Sequence, residues 1–245
     1  MKAQLALTPA PARTRIKICG LTREQDVDAA VAAGADAIGF VMYAPSPRFV
    51  TPARAAKLAA RLPPFVTPVL LFVNESAINV IAASAYVPGA TLQFHGDETP
   101  EDCWASSNQG ARTFLRAARI PLGDSGARFP LVEYAQQFSR AHAILLDAHV
   151  EAYGGSGKAF NWSLLPPSVN AHLVLSGGLS PANVGDGILA LRPRCTSLAV
   201  DVSSGVECDA PEGGTQKGIK DAEKIQRFVA AVRAADELFA RNTHV

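Results

Sequence analysis

No Cys-x-x-Cys pair occurs in this chain, and no histidine cluster lies beside its four cysteines, Cys19, Cys103, Cys195 and Cys208. A metal site built on zinc chemistry is therefore not expected. Four thiols in 245 residues are too sparse for a disulfide framework, so they read as reduced and the compartment as cytoplasmic. No apolar run approaches ~18 residues, which leaves no expected membrane span. The opening stretch, "MKAQLALTPAPARTR", lacks the apolar core of a secretory signal. Its Pro and Ala content makes residues 1–14 a loose tail. An excess of one charge is missing too: 23 Lys and Arg stand against 22 Asp and Glu. Electrostatics gives no reason to expect nucleic acid or an acidic membrane as partner.

What is present is a repeating pattern. From Arg15 onward, eight short apolar runs alternate with amphipathic segments. The runs are "RIKIC", "AIGFVM", "TPVLLFV", "ATLQF", "TFLRAAR", "AILLD", "HLVLS" and "SLAVD". Helix-like stretches follow them, from "REQDVDAAVAAG" to "IKDAEKIQRFVAAVRAADELFA", with a short sixth one at "NWSLLP". Gly34 fits the end of the first helix. Thr51-Pro52 and Ser180-Pro181 each read as a cap followed by proline in the first turn. Strands that are apolar throughout are buried on both faces, as in a parallel sheet. Eight strand–helix units over residues 15–245 predict a single (β/α)8 TIM barrel with no linker dividing it. An open doubly wound sheet is the alternative, but "CGLTRE" is not the Gly-x-Gly-x-x-Gly turn expected after its first strand.

In such a barrel the active site lies at the C-terminal ends of the strands. Those ends carry Cys19, His95, Asp147 and Asp201, and the loop after strand two ends at Arg48. Each has an ordinary structural reading as well. Cys19 could be a small core residue, Asp147 and Asp201 turn caps, His95 a satisfied buried histidine, and Arg48 a surface charge. The loops "SGGLSPAN" and "VSSGVE", after strands seven and eight, offer bare backbone N–H groups to an anion. "GGSGK" lacks the remaining residues of a nucleotide-binding P-loop.

Taken together, "KICGLT", "SPRFV", "LFVN", "YGGSGKAFNW", "LSGGLSPANV" and "AVDVSSGVE" resemble the N-(5′-phosphoribosyl)anthranilate isomerase family of tryptophan biosynthesis. The likeness runs from about Arg15 through the last helix. It implies an Amadori rearrangement of N-(5′-phosphoribosyl)anthranilate to 1-(2-carboxyphenylamino)-1-deoxyribulose 5-phosphate, with no cofactor and no metal. By resemblance, Cys19 is the general base and Asp147 the general acid. Arg48 holds the anthranilate carboxylate, Asp201 contacts substrate and His95 lines the pocket. Gly177, Gly178, Ser204 and Gly205 cradle the phosphate, and Gly155, Ser156 and Gly157 belong to a lid. The partner implied is a small phosphosugar, bound by a monomer or a homodimer.

Those roles carry physical demands. Asp147 must keep a proton, which the apolar run "AILLD" would favour. Cys19 must lose one, which the N-terminus of the following helix would favour. Rival readings are the related aminoaldose isomerase of histidine biosynthesis, which would place an Asp where Cys19 stands, and a barrel that binds phospholigands without catalysis. A cysteine hydrolase would need a His partner for Cys19 that the sequence does not locate.

Overall fold

The computed structural model describes residues 13–148, 161–162 and 165–243. Eight parallel strands close into a barrel: β1 (Arg15–Cys19), β2 (Ala37–Val41), β3 (Thr67–Phe72), β4 (Thr91–Phe94), β5 (Phe114–Ile120), β6 (Ala143–Ala148), β7 (Val169–Leu175) and β8 (Cys195–Val202). They pair in sequence order, and β8 closes on β1 with Lys17 opposite Asp201. The helices are α1 (Glu24–Ala33), α2 (Pro52–Ala59), α3 (Ala77–Ser84), α4 (Pro100–Ser106), α5 (Leu131–Gln137), α6 (Val184–Leu191) and α7 (Ala222–Thr243). All eight expected strands form within a few residues of the apolar runs.

The two faces of each strand do different work. Outward residues such as Ile16, Ile18, Phe72, Phe94 and Leu146 join a continuous core beneath the helices. Inward residues fill the barrel, where Ala117, Leu145 and Val174 pack with Ala143 and Ala199. This inner cluster consists of small and medium side chains. Toward the C-terminal rim the same inward alternation delivers polar groups: Lys17 and Cys19, Gln93 and His95, Leu145 then Asp147, Ala199 then Asp201.

Several local expectations change. Ser180-Pro181 does not open a helix: residues 181–183 form a turn and α6 starts at Val184. Thr51 does cap α2, its hydroxyl accepting from the Arg54 amide. Thr99 and Asp102 cap α4 reciprocally. Gly34 ends α1 as expected. Among the described residues no α-helix lies between β6 and β7; within "NWSLLP", Trp162 lies in a short 3-10 segment. Two further strands, β9 (Glu207–Asp209) and β10 (Thr215–Lys220), form an antiparallel hairpin between β8 and α7 that the apolar-run pattern did not reveal. Thr14, expected in the loose tail, is fully buried, and its amide donates to Asp236 on α7 at 2.9 Å.

Candidate active site

One pocket at the C-terminal rim is lined by Cys19, Arg48, Gln93, His95, Asp147, Gly177, Gly178, Asp201 and Ser204, among others. It therefore unites Cys19, Arg48, His95, Asp147, Asp201 and Ser204 with two of the five expected glycines, Gly177 and Gly178. Gly155, Ser156 and Gly157 lie outside the described residues. Gly205 lies beside the pocket rather than on it: a Cβ there would come within 1.9 Å of the Leu179 carbonyl oxygen. Its lack of a side chain lets the loop after β8 press against the loop after β7. Gly177, with φ 76°, does the same against β6, where a Cβ would lie 2.5 Å from the Ala148 amide nitrogen and 2.8 Å from Asp147 Oδ1.

The β1–β8 side of the pocket is wired by charge. Lys17 Nζ donates to Asp201 Oδ1 at 2.9 Å, and both side chains are buried. Asp201 thus faces a lysine inside the barrel as well as the pocket. Arg48 donates through Nε and Nη2 to the two carboxylate oxygens of Glu207, at 2.7 and 2.8 Å. The guanidinium fork that the sequence suggested for a ligand carboxylate is, on this edge, met by a glutamate of β9. Glu207 also accepts from Lys220 Nζ at 3.1 Å and from the Gly218 amide at 2.9 Å. Burial opposes its ionisation, yet Arg48, Lys220 and that amide hold its carboxyl down at about 2. Removing one partner of such a buried pair costs ~3–5 kcal/mol, because the other charge is stranded.

Burial pushes the Cys19 thiol up, and the Lys17 ammonium pulls against it without cancelling it. α1 begins five residues on, with Glu24 and Asp26 in its own first turn. Thr22 does not cap that helix either; its hydroxyl donates to the Gly218 carbonyl and ties the β1–α1 loop to β10.

The β4–β6 side is wired by hydrogen bonds. His95 Nε2 lies 2.8 Å from Asp147 Oδ2, and His95 Nδ1 lies 3.0 Å from Gln93 Nε2. With the amide so placed, Gln93 donates to Nδ1 and the imidazole proton sits on Nε2, facing the carboxylate. Asp147 Oδ1 accepts from the Ala148 amide at 3.0 Å. The carboxyl is therefore buried but not in the apolar cup that "AILLD" suggested. Gln93 Oε1 is buried with no hydrogen-bond partner among the described residues, an acceptor in the wall of the pocket.

Sequence reasoning missed Lys17, Gln93, Glu207 and Lys220. The first two had a signal: each stands two residues before a chosen strand-end residue, on the same inward face. Glu207 and Lys220 act through the unforeseen hairpin. Among the described residues no group of three or more His, Cys, Asp or Glu is placed to hold a metal ion.

A closed (β/α)8 barrel with a thiol, a histidine-bonded carboxyl and glycine loops on its C-terminal rim is a barrel enzyme equipped for proton transfer. Residues 16–231 match the family model described as N-(5′-phosphoribosyl)anthranilate (PRA) isomerase. The N-(5′-phosphoribosyl)anthranilate isomerase of Methylibium petroleiphilum is 60% identical over 224 residues, covering 91% of this chain and 96% of that protein. That of Leptothrix cholodnii is 58% identical, covering 92% and 94%. The crystal structure of the Thermotoga maritima phosphoribosyl anthranilate isomerase superposes with a TM-score of 0.75 at 37% identity, covering 90% of this chain and 99% of that one. Another solved phosphoribosyl anthranilate isomerase, in complex with reduced 1-(o-carboxyphenylamino)-1-deoxyribulose 5-phosphate, gives a TM-score of 0.69 at 32% identity, covering 90% and 99%. The chain belongs to the N-(5′-phosphoribosyl)anthranilate isomerase family.

Proposed function

We propose that the chain isomerises N-(5′-phosphoribosyl)anthranilate to 1-(2-carboxyphenylamino)-1-deoxyribulose 5-phosphate in tryptophan biosynthesis, with Cys19 and Asp147 moving the protons. The observation that carries the division of labour is the placement of a buried thiol on β1 and a histidine-bonded carboxyl on β6 in the wall of one pocket. Asp147 gives a proton to the furanose ring oxygen. The C1′–O bond breaks as the nitrogen lone pair forms an iminium. Cys19, as thiolate, takes the C2′ proton, and the C–H electrons form the C1′–C2′ double bond of an enolamine. Loss of the C2′ hydroxyl proton and protonation at C1′ give the ketone. The C2′ hydroxyl proton returns to Asp147 and the Cys19 thiol gives its proton to C1′, so protons and electrons balance without any redox partner, while His95, donating from Nε2, fixes the orientation of the Asp147 carboxyl.

Binding follows from the rest of the rim. Arg48, fixed on one edge by Glu207, meets the anthranilate carboxylate. The backbone of Gly177, Gly178 and Ser204 takes the phosphate, and Gly205 contributes by letting its loop close on Leu179. The pocket brings Cys19, Arg48, His95, Asp147 and Asp201 together within one chain, an arrangement that a monomer or a homodimer can both carry. Monomers generated from the dimeric phosphoribosylanthranilate isomerase of Thermotoga maritima have been solved, and a homodimer would leave this chemistry unchanged.

We place the enzyme in the cytoplasm: its cysteines are free, and no helix among the described residues is long and apolar enough to cross a membrane. We treat the barrel as one domain, its start moved back from Arg15 to include Thr14. Supplying purified protein with phosphoribosylanthranilate and following the loss of its anthranilate fluorescence tests the assignment. Unchanged fluorescence at high enzyme concentration would reject it.

A further inference from the structure

Lys17 has no part in the chemistry above, yet it is placed for one. It stands two residues before Cys19 on β1, so both side chains point into the barrel. Only 4% of Lys17 and 5% of Cys19 is exposed. Its ammonium is clamped by Asp201 Oδ1 at 2.9 Å, and its charge acts on the neighbouring Cys19 thiol to favour the ionised form. The room for this contact comes from β2. Gly39 pairs in register with Cys19. A Cβ at Gly39 would lie 2.6 Å from Cys19 Sγ and 3.1 Å from Lys17 Cε. Thiol and ammonium share a space that any side chain at residue 39 would fill. A lysine buried in a barrel solely for packing would need neither the sulfur nor the missing side chain opposite.

The charges around the thiol can be named. Lys17 faces it from β1, Asp201 from β8 and Lys220 from β10. Arg48 packs over Gly20, the next residue, where a Cβ would meet its Cδ at 2.5 Å. His95 and Asp147 line the same pocket from the β4 end and β6. Burial opposes thiolate formation most strongly. Lys17 is the largest influence favouring it, Asp201 disfavours it, and Lys220 favours it from further down the order.

We propose that Lys17 is the positioning residue of Cys19: its Asp201-clamped ammonium is the counter-ion against which the thiol gives up its proton. The proton leaves to water through the pocket mouth, and an ammonium–thiolate pair remains with Asp201 unchanged. The proposal deepens the reading of Cys19 as base and rests on it for its catalytic meaning.

The test reads the thiol directly, so it survives even if Cys19 is not the base. The rate of iodoacetamide modification at Cys19 is followed against pH by peptide mass spectrometry in wild type, Lys17→Met, Lys17→Arg and Asp201→Asn. Lys17→Met raises the midpoint by about one unit or more, so modification below both midpoints slows roughly tenfold. Lys17→Arg restores most of the wild-type midpoint. Asp201→Asn lowers it, because an opposing negative charge is gone. A purely structural ion pair would not give opposite shifts for its two halves. The ascending limb of kcat against pH follows the thiol midpoint in each variant. A Lys17→Met midpoint equal to wild type in folded protein, or same-direction shifts for Lys17→Met and Asp201→Asn, would overturn the proposal. Should Lys17→Met fail to fold, Asp201→Asn decides alone, and an unmoved or raised midpoint there rejects it. Loss of the limb correlation with the midpoints still moving as expected would instead reject Cys19 as base.

Discussion

The two sides of the pocket handle a buried proton by different physics. On β1 and β8, Cys19 lies in an ionic frame: Lys17 with Asp201 beneath it, and Lys220 with Glu207 and Arg48 above. On β4 and β6, Asp147 lies in a chain of directional hydrogen bonds running through His95 to Gln93. A thiol must ionise before it acts as a base, and a charge in a dry site needs a counter-charge. An acid must keep a proton and release it along one direction, which a fixed imidazole and amide supply. The contrast is consistent with the proposed roles of Cys19 as base and Asp147 as acid. Variants on the first side should act through ionisation, and those on the second through geometry and proton supply.

The sharpest way to break this comparison is to remove each proton carrier in turn. Cys19→Ser keeps the size and removes the acidity of the thiol. General base catalysis contributes ~10²–10⁴-fold, and kcat falls by at least that order while thermal unfolding stays near wild type. Turnover like wild type in this variant rejects the base. Asp147→Asn keeps the shape and one acceptor oxygen, enough for the Ala148 amide or for His95 but not for both, and has no proton to give. kcat falls by a comparable ~10²–10⁴ with KM little changed. A steep rise in KM with kcat preserved would make Asp147 a binding group and move the acid elsewhere.

The proposed phosphate loops, after β7 and β8, touch both halves, so losing the phosphate should affect both. Charged-group hydrogen bonds contribute ~1.5–3 kcal/mol each, and two together correspond to roughly a hundredfold or more in kcat/KM. A dephosphorylated substrate is accordingly turned over at least ~10² less efficiently, with part of the loss in kcat because the sugar is no longer held between thiol and carboxyl. Equal efficiency for the two substrates removes the phosphate site. Substituting Gly205 is a poor probe of that site, since any Cβ there strikes the Leu179 carbonyl and disturbs the loop before it meets a ligand.

Much of this arrangement is legible in the sequence, for a physical reason. A parallel strand buried on both faces is written as an apolar run, so "RIKIC" and "AILLD" mark β1 and β6, and the first polar residue at the rim marks the site. That filter finds Cys19, His95, Asp147 and Asp201. It cannot find Lys17, because a lysine within a strand reads as solvent-facing until barrel closure brings Asp201 opposite it. Nor does it find the hairpin of β9 and β10, whose partners Glu207 and Lys220 lie 13 residues apart and meet only after the chain turns back. The conformational environment of Asp147 was misread for a similar reason. Its sequence neighbours are leucines, whereas its spatial neighbour is a histidine from another strand.

The smallest effect on turnover, and the one that tests the ionic side by itself, belongs to Glu207. Its carboxyl titrates at about 2 in the folded protein, against a reference value of 4.5. A depressed carboxyl stabilises the fold above its unfolded pKa, and the contribution is lost as pH falls toward the folded value. The full difference amounts to about 3 kcal/mol, of which about 2 kcal/mol disappears between pH 6 and pH 3. Glu207→Gln retains an acceptor for Arg48 and for the Gly218 amide but has no charge to lose. The variant is less stable at pH 6, because Arg48 and Lys220 remain as buried cations without their anion. Its stability then falls less steeply from pH 6 to pH 3 than that of the wild type, and urea denaturation at the two pH values measures both. In turnover the same variant raises KM, as the Arg48 fork loosens, with only a small change in kcat that reaches Cys19 through the unpaired Lys220. Parallel pH slopes for the two proteins would show that Glu207 is not the buried anion of this frame, and a large fall in kcat with unchanged KM would show that it acts on the chemistry rather than on the Arg48 fork.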